Sequence, residues 1–179
     1  MTVDWDSYEI YDPGTHSTLD ELSRADARKA YTRLMDAKSG RIEMLTALLR
    51  ANGVVLNQSQ EAIQALNDWF AGNVQPDPSE SGRLLADWYS VVNDVALFLG
   101  DVIIARAPAL RWEFYVWGGK RARSYQRHVI MGFPTENPKN RLSLDIDMAV
   151  AVLGQRRVLG LDDDPQAFQQ WIERACRRV

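Results

Sequence analysis

Cysteine and histidine, which most often serve as nucleophile, base or zinc ligand, are rare in this sequence of 179 residues. The chain has one cysteine, Cys176, and two histidines, His16 and His128. A nucleophile needs a base within reach, and none of these residues lies in a known nucleophile motif. Zinc requires three or four clustered ligands, which residues so far apart do not indicate. We therefore expect neither a metal site nor a cofactor.

Aspartates are the remaining candidates for catalysis, because paired carboxylates can act as general acid and base. The candidates are Asp94, Asp101, Asp145 and Asp147. Asp145 and Asp147 would lie on one face of a strand, although a solvated face or a helix cap is the simpler interpretation. A hydrolase-like or transferase-like enzyme is therefore the alternative function, and a deep polar cleft containing two of these carboxylates would favour it.

Two short motifs resemble ligand-binding loops but lack the necessary spacing. Gly118, Gly119 and Lys120 are not preceded by the longer spacing of a phosphate loop, nor followed by its Ser or Thr and helix. We interpret them as a hairpin turn. The run from Asp162 to Asp164 lacks the alternating ligands and central glycine of an EF-hand, so we interpret it as helix capping.

A basic, aromatic stretch is the strongest candidate for a binding surface. Residues 105–144 contain eight basic and two acidic residues. Cations and aromatic rings alternate there, as they do on nucleic-acid-binding surfaces. The candidate partner-binding residues are Tyr115, Trp117, Lys120, Arg121, Arg123 and Arg127. A merely solvated turn is the simplest interpretation; an acidic protein partner comes next, and nucleic acid, which an overall pI of about 5.4 disfavours, comes last.

The composition predicts a globular protein that stays in the cytoplasm. The chain is 46% hydrophobic and 25% charged, with a net charge of −3. Residues 1–12 contain four acidic residues and no basic one, the opposite of a signal peptide. The most apolar window, residues 95–105, is interrupted by Gly100 and Asp101 and falls short of the ~20 residues of a membrane span. A lone cysteine fits a reducing compartment. The oligomeric state is not predicted.

Helical signals dominate the first two thirds of the chain. Thr18 and Glu21 have the spacing of a capping box, which predicts a helix over residues 18–38. Ser39 and Gly40 predict a break or a kink, after which residues 42–50 continue as helix. A helix over 59–71 ends at Gly72, and a proline-containing loop over 73–82 follows. Apolar residues at helical spacing then predict a long central helix over 83–106, ended by Pro108.

After Pro108 the apolar period changes from 3.6 to 2, which predicts strands. The first covers residues 111–117 and pairs antiparallel with a second over about 125–133. The turn could take two residues or extend through Ser124, so the register stays open. Residues 140–147 could form a third strand, and residues 148–153 could continue it or form a short helix ended by Gly154; we favour a strand followed by a helix. Asp164 and Pro165 predict the start of a C-terminal helix. The fold class is therefore α+β, a single domain over 1–179 with a helical subdomain over 1–72 and the central helix, small sheet and C-terminal helix over 83–179.

The central helix contains carboxylates that should be buried. Asp94 and Asp101 are seven residues apart on a helix that is apolar nearly all round. We predict that at least one is buried and that Asp101 has a basic partner, since an unpaired buried charge is costly. The candidate partners are Arg106, Arg111 and Arg127, and we expect Arg111 to be a buried polar residue.

The stretch Ala96-Leu-Phe-Leu-Gly-Asp-Val-Ile-Ile104, followed by Leu110-Arg-Trp112, resembles a pattern of uncharacterised small bacterial α+β domains. In that pattern a hydrophobic helix ends in Leu-Gly-Glu or Leu-Gly-Asp and a strand carrying Trp follows. Some of these domains resemble immunity proteins of bacterial toxin systems, which act by binding. The resemblance implies a non-catalytic, macromolecule-binding protein, and we take that as the leading hypothesis, with a protein partner favoured over nucleic acid.

Overall fold

A computed structural model describes residues 2–6, 8–15, 18–137, 139, 141–161 and 164–179. Within these ranges the elements are α1 (Arg24–Ala51), α2 (Gln60–Asn73), α3 (Ala86–Arg106), β1 (Arg111–Phe114), β2 (His128–Met131), α4 (Ile146–Val158) and α5 (Ala167–Cys176). The two strands form an antiparallel sheet. The α+β class with a long central helix is confirmed. His16, Asp162 and Asp163 lie outside the described residues, so the predictions made for them are not tested.

Helix α3 is the centre of the hydrophobic core. It is apolar on nearly every face and packs against α1, α4 and α5. One cluster of buried side chains joins it to residues from both halves of the chain, including the aromatic rings of Trp69, Phe70 and Phe168. Trp88 lies among these rings, 5.6 Å from Trp69 and 6.0 Å from Phe70 between centroids. Burial of this surface is the main source of stability.

In the described part of the chain, α3 alone is long and apolar enough to cross a membrane by length and composition. Most of its apolar window is buried inside the protein. The core helix of a globular protein can meet the same length and composition criteria, and the surrounding elements cover α3 on most sides. Membrane association is therefore not indicated.

Helix α1 begins later and runs further than predicted. Thr18 and Glu21 do form one hydrogen bond of a capping box, from the Thr18 amide to Oε2 of Glu21 at 3.2 Å. They lie in a turn that precedes the helix, so they do not cap it. The helix is capped by Ser23, whose hydroxyl accepts from the Asp26 amide at 3.1 Å. Gly40 does not break it, because the buried stripe continues on both sides of that position and overrides the low helix propensity of one glycine.

The later elements also differ from the prediction. Leu144 makes a single bridge to Ile130 instead of forming a third strand. The reason is Asp145, which caps α4 by accepting from the Met148 amide at 3.0 Å and so turns the chain into a helix at once. Gly154 lies inside α4 and is not its end. Helix α5 begins at Ala167, because the turn closed by Asp164 precedes it.

The hairpin has shorter strands and a longer connection than predicted. Arg111 pairs with Met131 and Phe114 with His128. Residues 115–127, which we call the connecting loop, include a short 3-10 helix over Gly119–Arg121. Trp112 packs on α3 at Gly100, where a Cβ atom would overlap the indole ring. This close approach holds the sheet against the central helix.

Replacing Gly100 with alanine should therefore destabilise the fold. The added methyl group would displace Trp112, and overpacking of this kind costs about 1–3 kcal/mol. Gly40→Ala is the matched control, because that position is helical and no neighbouring atom lies within 4 Å of the place that its new methyl carbon would occupy. It should stabilise the protein by about 0.5–1 kcal/mol. Urea unfolding measures both, and equal effects would contradict the Gly100–Trp112 contact.

Candidate functional site

A cavity of about 760 Å³ lies between the helices and the connecting loop. Its apolar and aromatic lining comes from α1 through Tyr31 and Leu34, from α3 through Val92, and from α4 through Met148. Residues 8–15, which we call the N-terminal segment, provide another wall through Tyr11. The volume and the mainly apolar lining are those of a ligand-binding pocket.

A buried glutamine joins two sides of this cavity. Nε2 of Gln126 donates to the carbonyl oxygens of Leu19 at 2.5 Å and Leu22 at 3.1 Å. The turn that precedes α1 is thereby tied to the connecting loop. Gln126 has φ 63°, a left-handed conformation, which is uncommon for a residue other than glycine. Sequence patterns gave no signal for this role, because it depends on a contact across more than 100 positions.

Three cations form the mouth of the cavity. Lys120, Arg121 and Arg123 are exposed or partly exposed on the connecting loop and line it. Among the described residues no carboxylate lies within 4.0 Å of their charged nitrogens. Asp20 also lines the cavity, and its pKa is lowered mainly by a hydrogen bond with Thr18 and to a smaller extent by Lys120. The mouth therefore carries a net positive charge.

Arg127, the fourth predicted cation, is not part of this positive surface. Its Nε donates to Oδ2 of Asp145 at 2.8 Å, and its Nη2 contacts Asp147. One guanidinium against two carboxylates leaves a formal charge of −1 on this cluster, of which Arg127 and Asp147 line the cavity. Arg127 is ion-paired within the fold, because the N-terminus of α4 brings both aspartates next to it. Its role in partner binding stays a prediction.

The aromatic residues of the predicted surface lie elsewhere. Trp117 is 45% exposed and faces the guanidinium of Arg141, 4.7 Å from the ring centroid. It lines a smaller depression with Arg111 and Leu142. The backbone of Tyr115 pairs with Arg127. Neither Tyr115 nor Trp117 lines the main cavity, so the predicted patch is divided between two surfaces.

His128 is one of the buried polar residues of the cavity lining, with Asn93 and Gln126. It is only 6% exposed, and its Nε2 has no hydrogen-bond partner among the described residues. Burial lowers the pKa of His128 below its ordinary value of 6.5, although Asp147 acts in the opposite direction. The imidazole is therefore neutral at pH 7. The sequence pattern predicted a strand at His128 but indicated no role for its side chain.

Asp94 is completely buried, as expected for at least one carboxylate of α3, and its partner is Arg41. Arg41 donates from Nε to Oδ1 at 2.9 Å and from Nη2 to Oδ2 at 2.6 Å. The Tyr8 hydroxyl donates to Oδ2 at 2.6 Å. Burial raises the pKa of Asp94, while Arg41 and Tyr8 lower it. This partner was missed, because Arg41 lies 53 positions away.

Asp101 is partly exposed, with 32% of its side chain accessible. Nζ of Lys38 donates to both of its oxygens at 2.5 Å, and Nε1 of Trp112 donates to Oδ1 at 2.9 Å. The three partners proposed from sequence are wrong. Arg106 instead donates to the carbonyl oxygen of Gln58 at 2.7 Å.

Arg111 is exposed, contrary to the expectation of a buried polar residue. Its side chain is 64% accessible and pairs with Glu113, its neighbour on the same strand face. Arg111 is exposed because successive side chains of a strand point to opposite faces of the sheet. Trp112 turns toward α3, so Arg111 turns toward solvent.

Each of the four candidate aspartates is held in an ion pair: Asp145 and Asp147 share Arg127, Asp94 binds Arg41 and Asp101 binds Lys38. Of the four candidates, Asp147 alone lines the cavity, and Arg127 binds it. In the described ranges no group of three or more His, Cys, Asp or Glu side chains could hold a metal ion. No family model, curated protein or solved structure matches this chain. The cavity and the charges that line it are therefore the features from which we infer a function.

Acidification should destabilise the protein through His128. The folded state keeps the imidazole neutral below pH 6.5, whereas the unfolded chain takes up a proton there. The unfolded state therefore binds more protons, so the free energy of unfolding decreases as the pH falls from 6.5 toward the lower folded-state pKa. The slope is at most about 1.4 kcal/mol per pH unit.

Urea unfolding of wild type and His128→Gln between pH 7 and pH 5 measures this contribution. Other groups titrate in both proteins, so the difference between the two curves isolates His128. We expect the wild type to lose more stability than the variant over that interval. Parallel curves would show that His128 takes up protons equally in the folded and unfolded states.

Proposed function

We propose that this protein is a non-catalytic cytoplasmic binding protein that recognises an acidic segment of another protein at the mouth of the cavity. The observation that carries the proposal is the position of Lys120, Arg121 and Arg123, which lie together on the connecting loop beside a large cavity. Each retains its charge for a partner, in contrast to Arg127, whose charge is offset by Asp145 and Asp147. An immunity-like role, acting by binding, agrees with this arrangement.

Charge distribution supports a protein partner over nucleic acid. Residues 1–100 contain 15 acidic and 8 basic residues. The acidic N-terminal segment forms another wall of the cavity, and its charges would repel a long polyanion lying across the mouth. A short acidic segment at the mouth meets the three cations and a single carboxylate, Asp20. Electrostatic complementarity of this local kind favours fast and specific association.

Reversing the three charges should abolish binding without unfolding the protein. The selected ligands are peptides enriched on the wild type from a random displayed library, and we expect them to be rich in Asp and Glu. Lys120→Glu, Arg121→Glu and Arg123→Glu together should weaken their binding at least tenfold and remove most of its salt dependence. The melting temperature should change little, because surface substitutions have effects within about 0.5 kcal/mol.

Arg24→Glu, Arg50→Glu and Arg178→Glu together form the matched control. These arginines are exposed, lie outside the cavity lining and give the same change in net charge. The control should retain peptide binding. Selection of peptides without acidic residues, or salt-sensitive binding of a single-stranded oligonucleotide in place of acidic peptides, would contradict the proposed function.

A further inference from the structure

We propose that the acidic segment places a tryptophan side chain in the cavity, with its indole N–H donating a hydrogen bond to Oδ1 of Asn93. This inference rests on the proposed function and specifies the ligand of the same site. Two observations carry it. The buried side chain of Asn93 presents an unpaired acceptor to the cavity, and four tyrosine rings line that cavity.

Asn93 is the residue of the lining that offers a ligand a directed polar contact. It lies on α3, lines the cavity and is only 9% accessible. Its Oδ1 accepts no hydrogen bond from any described residue, yet, unlike Nε2 of His128, this oxygen is not sealed off from solvent. Buried polar atoms are almost always hydrogen-bonded. A ligand that displaces water from this oxygen must therefore supply a donor in its place.

The buried ion pair fixes which end of the Asn93 amide faces the cavity. Nδ2 of Asn93 donates to Oδ1 of Asp94 at 3.1 Å. Asp94 is ion-paired with Arg41, and a carboxylate only accepts hydrogen bonds. Turning the amide over would place two oxygens against each other, so the nitrogen stays at Asp94 and the oxygen stays available. This position is therefore specific for a hydrogen-bond donor.

The total charge of the lining disfavours a cationic donor. Four basic and two acidic side chains line the cavity, and His128 is neutral, so the net formal charge is +2. The basic residues are Lys120, Arg121, Arg123 and Arg127, and the acidic ones are Asp20 and Asp147. A lysine or arginine of the ligand would be repelled by this excess of like charge. An uncharged donor is therefore favoured at Asn93.

Four tyrosine rings select an aromatic body for this donor. They come from the N-terminal segment, α1, α3 and the connecting loop, and they are Tyr11, Tyr31, Tyr89 and Tyr125. Aromatic rings pack favourably against one another, and tryptophan is enriched among the anchoring residues of interfaces. Its indole N–H only donates, whereas a tyrosine hydroxyl would also bring an oxygen that needs a donor. A cavity of about 760 Å³ leaves room for neighbouring residues of the segment as well.

Sequences from the peptide selection test the anchor first. We expect a tryptophan at one fixed position, with Asp or Glu close to it in the sequence. Acidic peptides without a fixed tryptophan, including peptides that fix tyrosine instead, would overturn this inference and leave the proposed function standing. A selection that yields no acidic peptides would overturn both, so the two failures are distinguishable.

A double-mutant cycle then tests the hydrogen bond to Asn93. In the selected peptide, tryptophan is replaced with benzothienylalanine, which keeps the shape of the ring and has sulfur in place of the N–H group. On the wild type this replacement should weaken binding roughly three- to tenfold, as expected for one lost hydrogen bond. On Asn93→Leu the two peptides should bind within about twofold of each other, because neither can form that bond. An equal loss on both proteins would overturn the role of Asn93.

A measurement on the wild type covers the case in which Asn93→Leu does not fold, since Asn93 also donates to Asp94. The ¹³C signal of the Asn93 side-chain carbonyl should shift when the tryptophan peptide is added, and shift much less with the benzothienylalanine peptide. Signals that respond equally to the two peptides would show that the indole N–H does not reach this oxygen, which would overturn the inference. Lys120→Glu, Arg121→Glu and Arg123→Glu together should remove both responses by preventing binding.

Discussion

The buried ion pair between Arg41 and Asp94 is the interaction on which the cavity depends. It joins the middle of α1 to the middle of α3, and Asp94 has no exposed surface. The same site holds the N-terminal segment, since the Tyr8 hydroxyl donates to Asp94 and the Tyr11 amide donates to Ser90 Oγ at 2.8 Å. Buried charges are tolerated only when their hydrogen bonds are complete. The pair therefore fixes the helix spacing and one wall of the cavity together.

A second ion cluster, formed by Arg127 with Asp145 and Asp147, fixes the opposite side of the cavity. Arg127 binds two aspartates at the start of α4, which holds the end of the connecting loop next to that helix. Gly100 lets Trp112 approach α3, so the sheet cannot move outward without losing that contact. The cavity thus lies between two charged anchors and one close packing contact. Its lining is consequently preorganised, while the three cations at its mouth lie on the connecting loop.

Local sequence patterns predicted the elements that local physics determines. The apolar repeat of α3 and the start of α2 near Ser59 are examples, because both depend on neighbours within a few positions. Long-range pairing was not predictable in the same way. Arg41 and Lys38 both lie on α1, and nothing in their local sequence distinguishes them as partners of the two aspartates on α3. The cavity arises from such long-range pairings. The sequence therefore indicated the cations that line the cavity, but not that a cavity is present.

Urea unfolding of Asp94→Asn and Asp101→Asn tests the central claim most directly, because the two substitutions remove the same charge from the same helix. We predict a loss of about 3–5 kcal/mol for Asp94→Asn, since Arg41 would remain buried without its counter-charge. Asp101→Asn should cost about 1 kcal/mol or less, because its ion pair with Lys38 is partly exposed. Similar losses for the two variants, or a change below about 0.5 kcal/mol for Asp94→Asn, would contradict the account.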